Sequence, residues 1–347
     1  MSAETDRLLS QLAQALNLQA LNLFDESGHP NCSALGMMLR DLPALRWNTK
    51  VFGSELADKY YGDVRTSRKA RRTDPFELMW RATTFADFEQ AWFIDACDRL
   101  KTAPLLHRKV WENAVVLTAL QTSGMLAHGK RGIGFGCGEE SLPSYFASQG
   151  AEILATDLDM NNQQARGWIE TGQHGSLDKL YKPGLVDKPV FERLVRFQYA
   201  DMGNIAPHLF ESFDFCWSVC AFEHLGSIEA GLRFVETSAK LLKPGGMAVH
   251  TTEFSYANNG ETIDNWGTVL FRRQDFETLA GRLRAAGYLV PRISFDVGTS
   301  PVDSFIDCPP YPGHKDFYAE HFDSLHLKLM VDGFPCTCFL VVVQRPG

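Results

Sequence analysis

The stretch Gly132-Ile-Gly-Phe-Gly-Cys-Gly-Glu-Glu140, followed after a helix-like segment by Ala155-Thr-Asp157, decides the fold of this chain. Gly134, Gly136 and Gly138 form a GxGxG loop between an apolar strand and a helix. Glycines there let the backbone turn tightly and approach a ligand closely. Asp157 stands 19 residues after Gly138, at the end of the next strand, Glu152-Ile-Leu-Ala-Thr156. An acid at that place can accept hydrogen bonds from the two hydroxyls of a ribose.

A nicotinamide enzyme would use the same geometry, but its fingerprint is GxGxxG. Counting from Gly132 the sixth residue is Cys137, from Gly134 it is Glu139, and from Gly136 it is Ser141, so no frame fits. Glu139 and Glu140 would also repel a pyrophosphate at the helix start. The loop suits a nucleoside ligand that carries no phosphate.

Working outward, strands alternate with helices from about Lys130. Strands are expected at Val195–Tyr199, Phe213–Cys220, Met247–Thr252, Tyr288–Phe295 and Thr337–Val343. Helices are expected at Ser227–Leu242, closed by Lys243-Pro-Gly-Gly246, and at Asp275–Ala286, stopped by Gly287. This alternation implies a parallel sheet with helices on both faces. Residues 297–335 form a long insertion between the last two expected strands, the kind of segment that often carries function.

Residues 1–125 read as a separate helical cap, and residues 126–347 as the core domain. Met1–Leu18 has an amphipathic pattern, unlike a signal peptide. Thr83 or Thr84 can cap a helix through Phe88 and Trp92 to Leu100. Pro104 opens another that places Leu106, Val110, Ala114 and Leu117 on one face. Arg65, Arg68, Lys69, Arg71 and Arg72 form a basic cluster, read as a solvated loop, with an anion clamp as the alternative.

The 347 residues, 45% of them hydrophobic, suffice for a large core. A net charge of −8 disfavours a general nucleic-acid binder. No apolar run is long enough to span a membrane. Eight cysteines without a CxxC pair fit buried thiols in a reducing, cytoplasmic setting.

With these residues in view, the chain from 130 to 347 resembles the class I S-adenosylmethionine (AdoMet) methyltransferases. Gly134–Gly138 resemble the family's first motif, and Asp157, with Leu158 after it, its ribose-binding acid. Asp201-Met202 resemble the pair that frames adenine. Phe213–Cys220, including Ser218, resembles the fourth strand, and Leu242-Lys-Pro-Gly-Gly-Met247 the turn into the fifth. The resemblance implies AdoMet as cofactor and a doubly wound α/β sheet of seven strands, the last antiparallel. The family's usual acid two residues before the first glycine is replaced by Gly132. Glu139 or Glu140 is the candidate substitute for holding the methionine ammonium. The stretches Gly134–Glu140, Cys220-Ala-Phe-Glu-His-Leu-Gly226, His250-Thr-Thr-Glu-Phe254 and His326-Leu-Lys-Leu329 are similar to bacterial methyltransferases commonly encoded beside glycosyltransferases. That implies a bacterial enzyme acting on a small molecule or glycan.

Methyl transfer from a sulfonium needs alignment and exclusion of water. A hydroxyl acceptor also needs a base or a metal. Glu223-His224 follows the fourth strand at the ligand-binding edge of the sheet. His224 is the expected base, with Glu223 and His250 as further catalytic candidates, and Glu253, Asp307 and His326 near the acceptor. Glu223, His224, His250 and Glu253 could instead hold a divalent metal for metal-assisted C- or O-methylation. That set partly resembles the ExxEH site of small-RNA 2′-O-methyltransferases. Here Cys220 replaces the first glutamate, so no metal site is expected. A nicotinamide oxidoreductase and a non-catalytic AdoMet-binding subunit remain the rival classes.

Overall fold

The computed structural model describes residues 41–159, 175–257, 259–309, 311 and 325–347, with residues 7, 11, 14 and 29. Most of the expected helix over 1–18 and part of the 297–335 insertion lie outside these residues. The chain divides into two compact units, 1–52 and 53–347. Helix α1 (Asp41–Ser67) carries the boundary between them.

In the second unit, β1 (Trp80–Ala82) is followed by α2 (Phe85–Phe88), α3 (Ala91–Arg99) and α4 (Arg108–Thr122). Then come β2 (Arg131–Phe135), α5 (Leu142–Ser148), β3 (Glu152–Asp157), α6 (Leu177–Leu180), α7 (Lys188–Leu194) and β4 (Val195–Tyr199). The chain continues through β5 (Phe213–Val219), α8 (Ile228–Ala239), β6 (Leu242–Ser255) and α9 (Arg273–Ala285). It ends with β7 (Ile293–Ser294), α10 (Pro301–Ser304), β8 (Leu329–Val331) and β9 (Phe334–Gln344).

These strands form one sheet in the order β4-β3-β2-β5-β6-β9-β1-β7, with β8 paired to β9. The run from β4 to β6 is parallel, and β9 is antiparallel to β6. The doubly wound core and its antiparallel last strand are therefore as expected. The strand count is nine instead of seven. The two unexpected strands, β1 and β8, have three residues each. Such short runs show no alternation of their own, and they become strands because β9 offers them an edge.

Within residues 1–125, expected as a helical cap, the chain also forms β1. It is wedged between β9 and β7, pairing Arg81 with Leu340 and Trp80 with Ile293. Trp80 is fully buried, donates from Nε1 to the Val342 carbonyl and meets Phe276 edge-on. The expected single helix from Thr84 to Leu100 is two, because the basic segment runs into it. The Arg71 and Arg72 amides donate to Glu89 O, and the Ala91 amide donates to Arg72 O. The following helix starts at Arg108 and not at Pro104, with His107 Nδ1 accepting from the Lys109 amide at 3.1 Å. The basic cluster is balanced locally: Arg65 pairs with Asp58, Arg68 with Asp98, Arg71 with Glu89 and Arg72 with Asp74.

Residues 242–255 are a single long strand, where a shorter one was expected, because nine residues from Met247 to Ser255 pair with β9. Lys243-Pro-Gly-Gly246 lies at its start, with Gly245 in the left-handed region at φ +78°. Of the seven described cysteines, all free thiols, six are buried. No helix among the described residues is long and apolar enough to cross a membrane.

Because β1 sits inside the sheet, Trp80→Ala should cost about 3–5 kcal/mol of stability. Denaturant unfolding measures this, and a detachable cap would instead leave the main transition unmoved.

Candidate active site

The loop after β2 owes its glycines to the strand beside it. A Cβ on Gly132 would lie 2.3 Å from the Phe215 ring, and one on Gly134 2.3 Å from the Trp217 ring. Phe215 and Trp217 are the residues paired with them on β5. Gly136 and Gly138 serve the turn itself, at φ +59° and +51°. The Cys137 amide donates to Thr156 O, and Thr156 Oγ1 donates to Gly134 O, so the loop is clipped to β3.

Asp157 sits at the centre of this loop. Its Oδ2 accepts from the amides of Gly138 at 3.2 Å and Gly175 at 2.7 Å, and its Oδ1 from the Leu158 amide at 2.8 Å. A carboxylate has about four acceptor sites, so capacity for further donors remains. The two glutamates of the loop part company. Glu139 is exposed and paired with Lys179 at 2.7 Å, whereas Glu140 turns inward and accepts from Trp217 Nε1 at 3.0 Å. Burial pushes the Glu140 carboxyl up to about 8, against the lowering effect of Trp217 and Lys109. Met202 lies against Gly136, its sulfur 3.9 Å from where a Cβ would stand. Asp201 is exposed and closes its own turn onto the Gly203 amide.

At the end of β5 the backbone passes through Cys220 at φ +46° into a 3-10 turn, Phe222–His224. Glu223 is buried there. Its Oε2 accepts from Thr252 Oγ1 at 2.9 Å, while its Oε1 has no hydrogen-bond partner and lies 3.9 Å from His224 Nε2. Burial raises the Glu223 carboxyl. His224 is held through Nδ1, 3.0 Å from Gly267 O and 3.0 Å from Thr268 Oγ1.

Residues of the N-terminal half meet the ends of β5 and β6 here. The Arg108 guanidinium pairs with Glu253 and lies 3.7 Å from Cys338 Sγ and 4.0 Å from Cys220 Sγ. Burial alone would raise Glu253, but Arg108 and Lys109 outweigh it and hold the carboxyl below its usual range. Glu112, fully buried, accepts from Thr251 Oγ1 at 2.8 Å and from Cys338 Sγ at 2.7 Å. Reading 1–125 as a separate cap missed Arg108 and Glu112. A signal was present: Glu112 stands between Trp111 and the apolar run 114–117, and charged groups are seldom buried without a partner.

The ligand atoms of Glu112, Cys220 and Cys338, and those of Cys220, Glu223 and Glu253, each lie within 4.8 Å of one another. A divalent metal does not fit them. The guanidinium of Arg108 already supplies the cation between these groups, and burial drives the Cys220 thiol well above its usual range. Neither cluster contains a histidine, so the Glu223/His224/His250 ligand set is not assembled.

His250 lies in the core, on the α8 side of the sheet. It is fully buried, packed edge-on to Phe222 and Phe234. Ser238 Oγ donates to Val235 O at 2.8 Å and so accepts from His250 Nε2 at 2.9 Å. Nδ1 in turn accepts from Ser218 Oγ at 2.8 Å. Both ring nitrogens are used, and Ser218 is spent on the histidine instead of facing a cofactor. Asp307 and His326 form a buried pair at 2.7 Å, with the His107 and Tyr311 rings 4.8 and 5.1 Å from the imidazole. The Arg108 amide donates to His326 O, so this pair anchors the insertion to the start of α4.

Burial depresses His250 to about 3 from an ordinary 6.5. The unfolded chain therefore binds the extra proton first, and stability is lost as pH falls from 6.5 towards 3, by up to about 1.4 kcal/mol per unit. His250→Leu should cost about 1–3 kcal/mol at neutral pH by leaving the Ser218 hydroxyl without its acceptor, and should flatten that acid slope. Denaturant titrations across the pH range measure both effects.

Residues 133–250 match the methyltransferase domain family. A search of curated proteins finds no match. Among solved structures, an S-adenosylmethionine-dependent methyltransferase from Mesorhizobium loti is similar at 17% identity. The match covers 65% of this chain and 96% of that one, with a TM-score of 0.38. A SAM-dependent methyltransferase from Aquifex aeolicus shows 14% identity over 66% of this chain and 88% of that one, with a TM-score of 0.34. A third, from Methanosarcina mazei, shows 16% identity over 65% and 97%, with a TM-score of 0.38. The domain match, and not these distant likenesses, is the informative one: residues 133–250 are similar to the methyltransferase domain family.

Proposed function

We propose that this chain O-methylates a small hydroxyl-bearing molecule or sugar, with AdoMet as methyl donor and His224 as base. In this reading Asp157 and Leu158 receive the ribose, Asp201 and Met202 flank the adenine, and Gly134–Gly138 admit the methionine part. Glu140 takes the methionine ammonium, replacing the acid that Gly132 lacks. The buried thiols fit a cytoplasmic enzyme.

One observation supports the base assignment above the others. A carbonyl oxygen only accepts, so Nδ1 of His224, beside Gly267 O, carries the proton of the neutral ring. Nε2 then holds the lone pair, on the side facing Glu223. It can take the acceptor's hydroxyl proton as the oxygen attacks the sulfonium methyl. Glu223 stabilises the imidazolium that forms, and the methyl passes in line to oxygen as the sulfonium becomes a thioether. Arg108 supplies fixed positive charge near the acceptor oxygen, the part a metal would otherwise play. A nicotinamide reaction is disfavoured by the glycine spacing and by the inward Glu140.

Turnover is measured by conversion of AdoMet to S-adenosylhomocysteine over an acceptor panel. On any acceptor found, His224→Ala should lower it by on the order of 10²–10⁴ with cofactor binding retained. A chelator should leave the rate unchanged. Loss of activity on chelation, restored by added metal, would reverse this assignment.

Glu140 makes a separate prediction. With its carboxyl at about 8, the free protein carries it largely protonated at neutral pH. An arriving ammonium favours the carboxylate, so binding releases a proton and affinity rises with pH up to about 8. Calorimetry in buffers of different ionisation enthalpy should detect that proton for the wild type and lose it in Glu140→Gln.

A further inference from the structure

The three hydrogen bonds of Asp157 are shared unevenly between its oxygens. Oδ2 accepts two, from the Gly138 amide at 3.2 Å and the Gly175 amide at 2.7 Å, whereas Oδ1 accepts one, from Leu158 at 2.8 Å. A carboxylate oxygen has about two acceptor sites, so Oδ2 is full and Oδ1 has room for one more donor. A ribose diol brings two. The Gly138 and Leu158 amides belong to the turn that Asp157 organises. The Gly175 amide comes from 18 positions along the chain and makes the shortest of the three bonds.

Gly175 also lies on the glycine loop. It is buried, and a Cβ on it would stand 2.7 Å from Asp157 Oδ2, 2.8 Å from Gly138 O and 3.2 Å from Gly138 N. Only a residue without a side chain approaches that closely. Its backbone thus covers both halves of the candidate nucleoside site, the acid and the third glycine of the loop. The chain that follows is fastened separately. Ser144 Oγ on α5 donates to Leu180 O at 2.7 Å and accepts from the Lys182 amide at 2.9 Å. Lys179 pairs with Glu139 at 2.7 Å. None of these bonds involves Gly175, so its amide can leave Asp157 without unfastening α6.

We infer that Gly175 is a latch on the cofactor site: its amide holds the place of one ribose hydroxyl on Asp157, and the arriving cofactor displaces it. The inference rests on the proposed role of Asp157 as the ribose acid. In the free protein the latch keeps Oδ2 satisfied. On binding, one donor replaces another on the same oxygen, so the exchange is nearly even in hydrogen bonds. The latch therefore weakens cofactor affinity without abolishing it, in proportion to the fraction of molecules in which it is closed.

The experiment combines hydrogen exchange, read at residue resolution, with calorimetry on the full chain, using S-adenosylhomocysteine as the probe. The Gly175 amide should be protected in the free protein. Once S-adenosylhomocysteine saturates the site it should exchange about tenfold faster or more, the reverse of the added protection that a ligand gives to segments it stabilises. Gly175→Ala pushes this backbone off Asp157 and should bind S-adenosylhomocysteine about fivefold tighter or more. Unchanged or greater protection of Gly175 in the saturated wild type overturns the latch, and so does a folded Gly175→Ala that binds no tighter than the wild type. Should Gly175→Ala fail to fold, the exchange rate in the wild type decides alone. A wild type that binds no S-adenosylhomocysteine overturns the ribose role of Asp157 instead, and the latch with it.

Discussion

The buried ion pair between Arg108 and Glu253 is the contact on which the arrangement of this molecule turns. It joins the first turn of a helix from the N-terminal half to the long strand at the centre of the sheet. Around it gather Cys220 from the end of β5, Glu112 one helical turn along α4, and Cys336 and Cys338 from β9. Such a pair gains little over apolar packing. Removing one partner alone is expensive, because it strands the other charge in a medium of low dielectric. The N-terminal segment is therefore committed to the sheet by charge as well as by the burial of Trp80 and Trp111.

The same pair sets the electrostatics of the pocket. Glu253 is held below its usual range because Arg108 outweighs its burial, while burial raises the Glu223 carboxyl at the neighbouring strand end. Two neighbouring carboxyls are thus shifted in opposite directions by their surroundings. That divergence is a common mark of a reactive site. Below them, Ser218, His250 and Ser238 form a fully satisfied chain that links β5, β6 and α8 without reaching the ligand side. Polar groups in the core rigidify the sheet edge, and the groups at the strand ends are left for chemistry.

Much of the core was legible because it is local. The glycine loop, Asp157 and the alternation of strands with helices from Lys130 follow from spacing and turn chemistry. Glu223-His224 at a strand end follows from the same order. The failures are equally specific. Trp80–Ala82 is too short to show a period, and the helix through Phe88 breaks where Arg71 and Arg72 hydrogen-bond to Glu89, a contact between segments. His250 looked available because it lies on the strand next to Glu223. Strand alternation turned it inward, onto two serines that no spacing rule connects.

Sequence by itself determined the class of fold, the order of its core strands, and the glycine loop with the acid at the end of the next strand. Those features depend on backbone freedom and on periodicity, which a few consecutive residues carry. Tertiary structure decided which charged groups meet. Arg108 reaches Glu253 across 145 positions of chain, and Cys338 reaches Glu112 across 226. It also decided that Glu140 and not Glu139 turns inward, because Trp217 on the neighbouring strand offers the hydrogen bond and Lys179 draws the other carboxylate out to solvent. Carboxyl shifts, the orientation of His224 and the place of the Arg108 cation depend on distances between remote segments, and only the folded chain sets those distances.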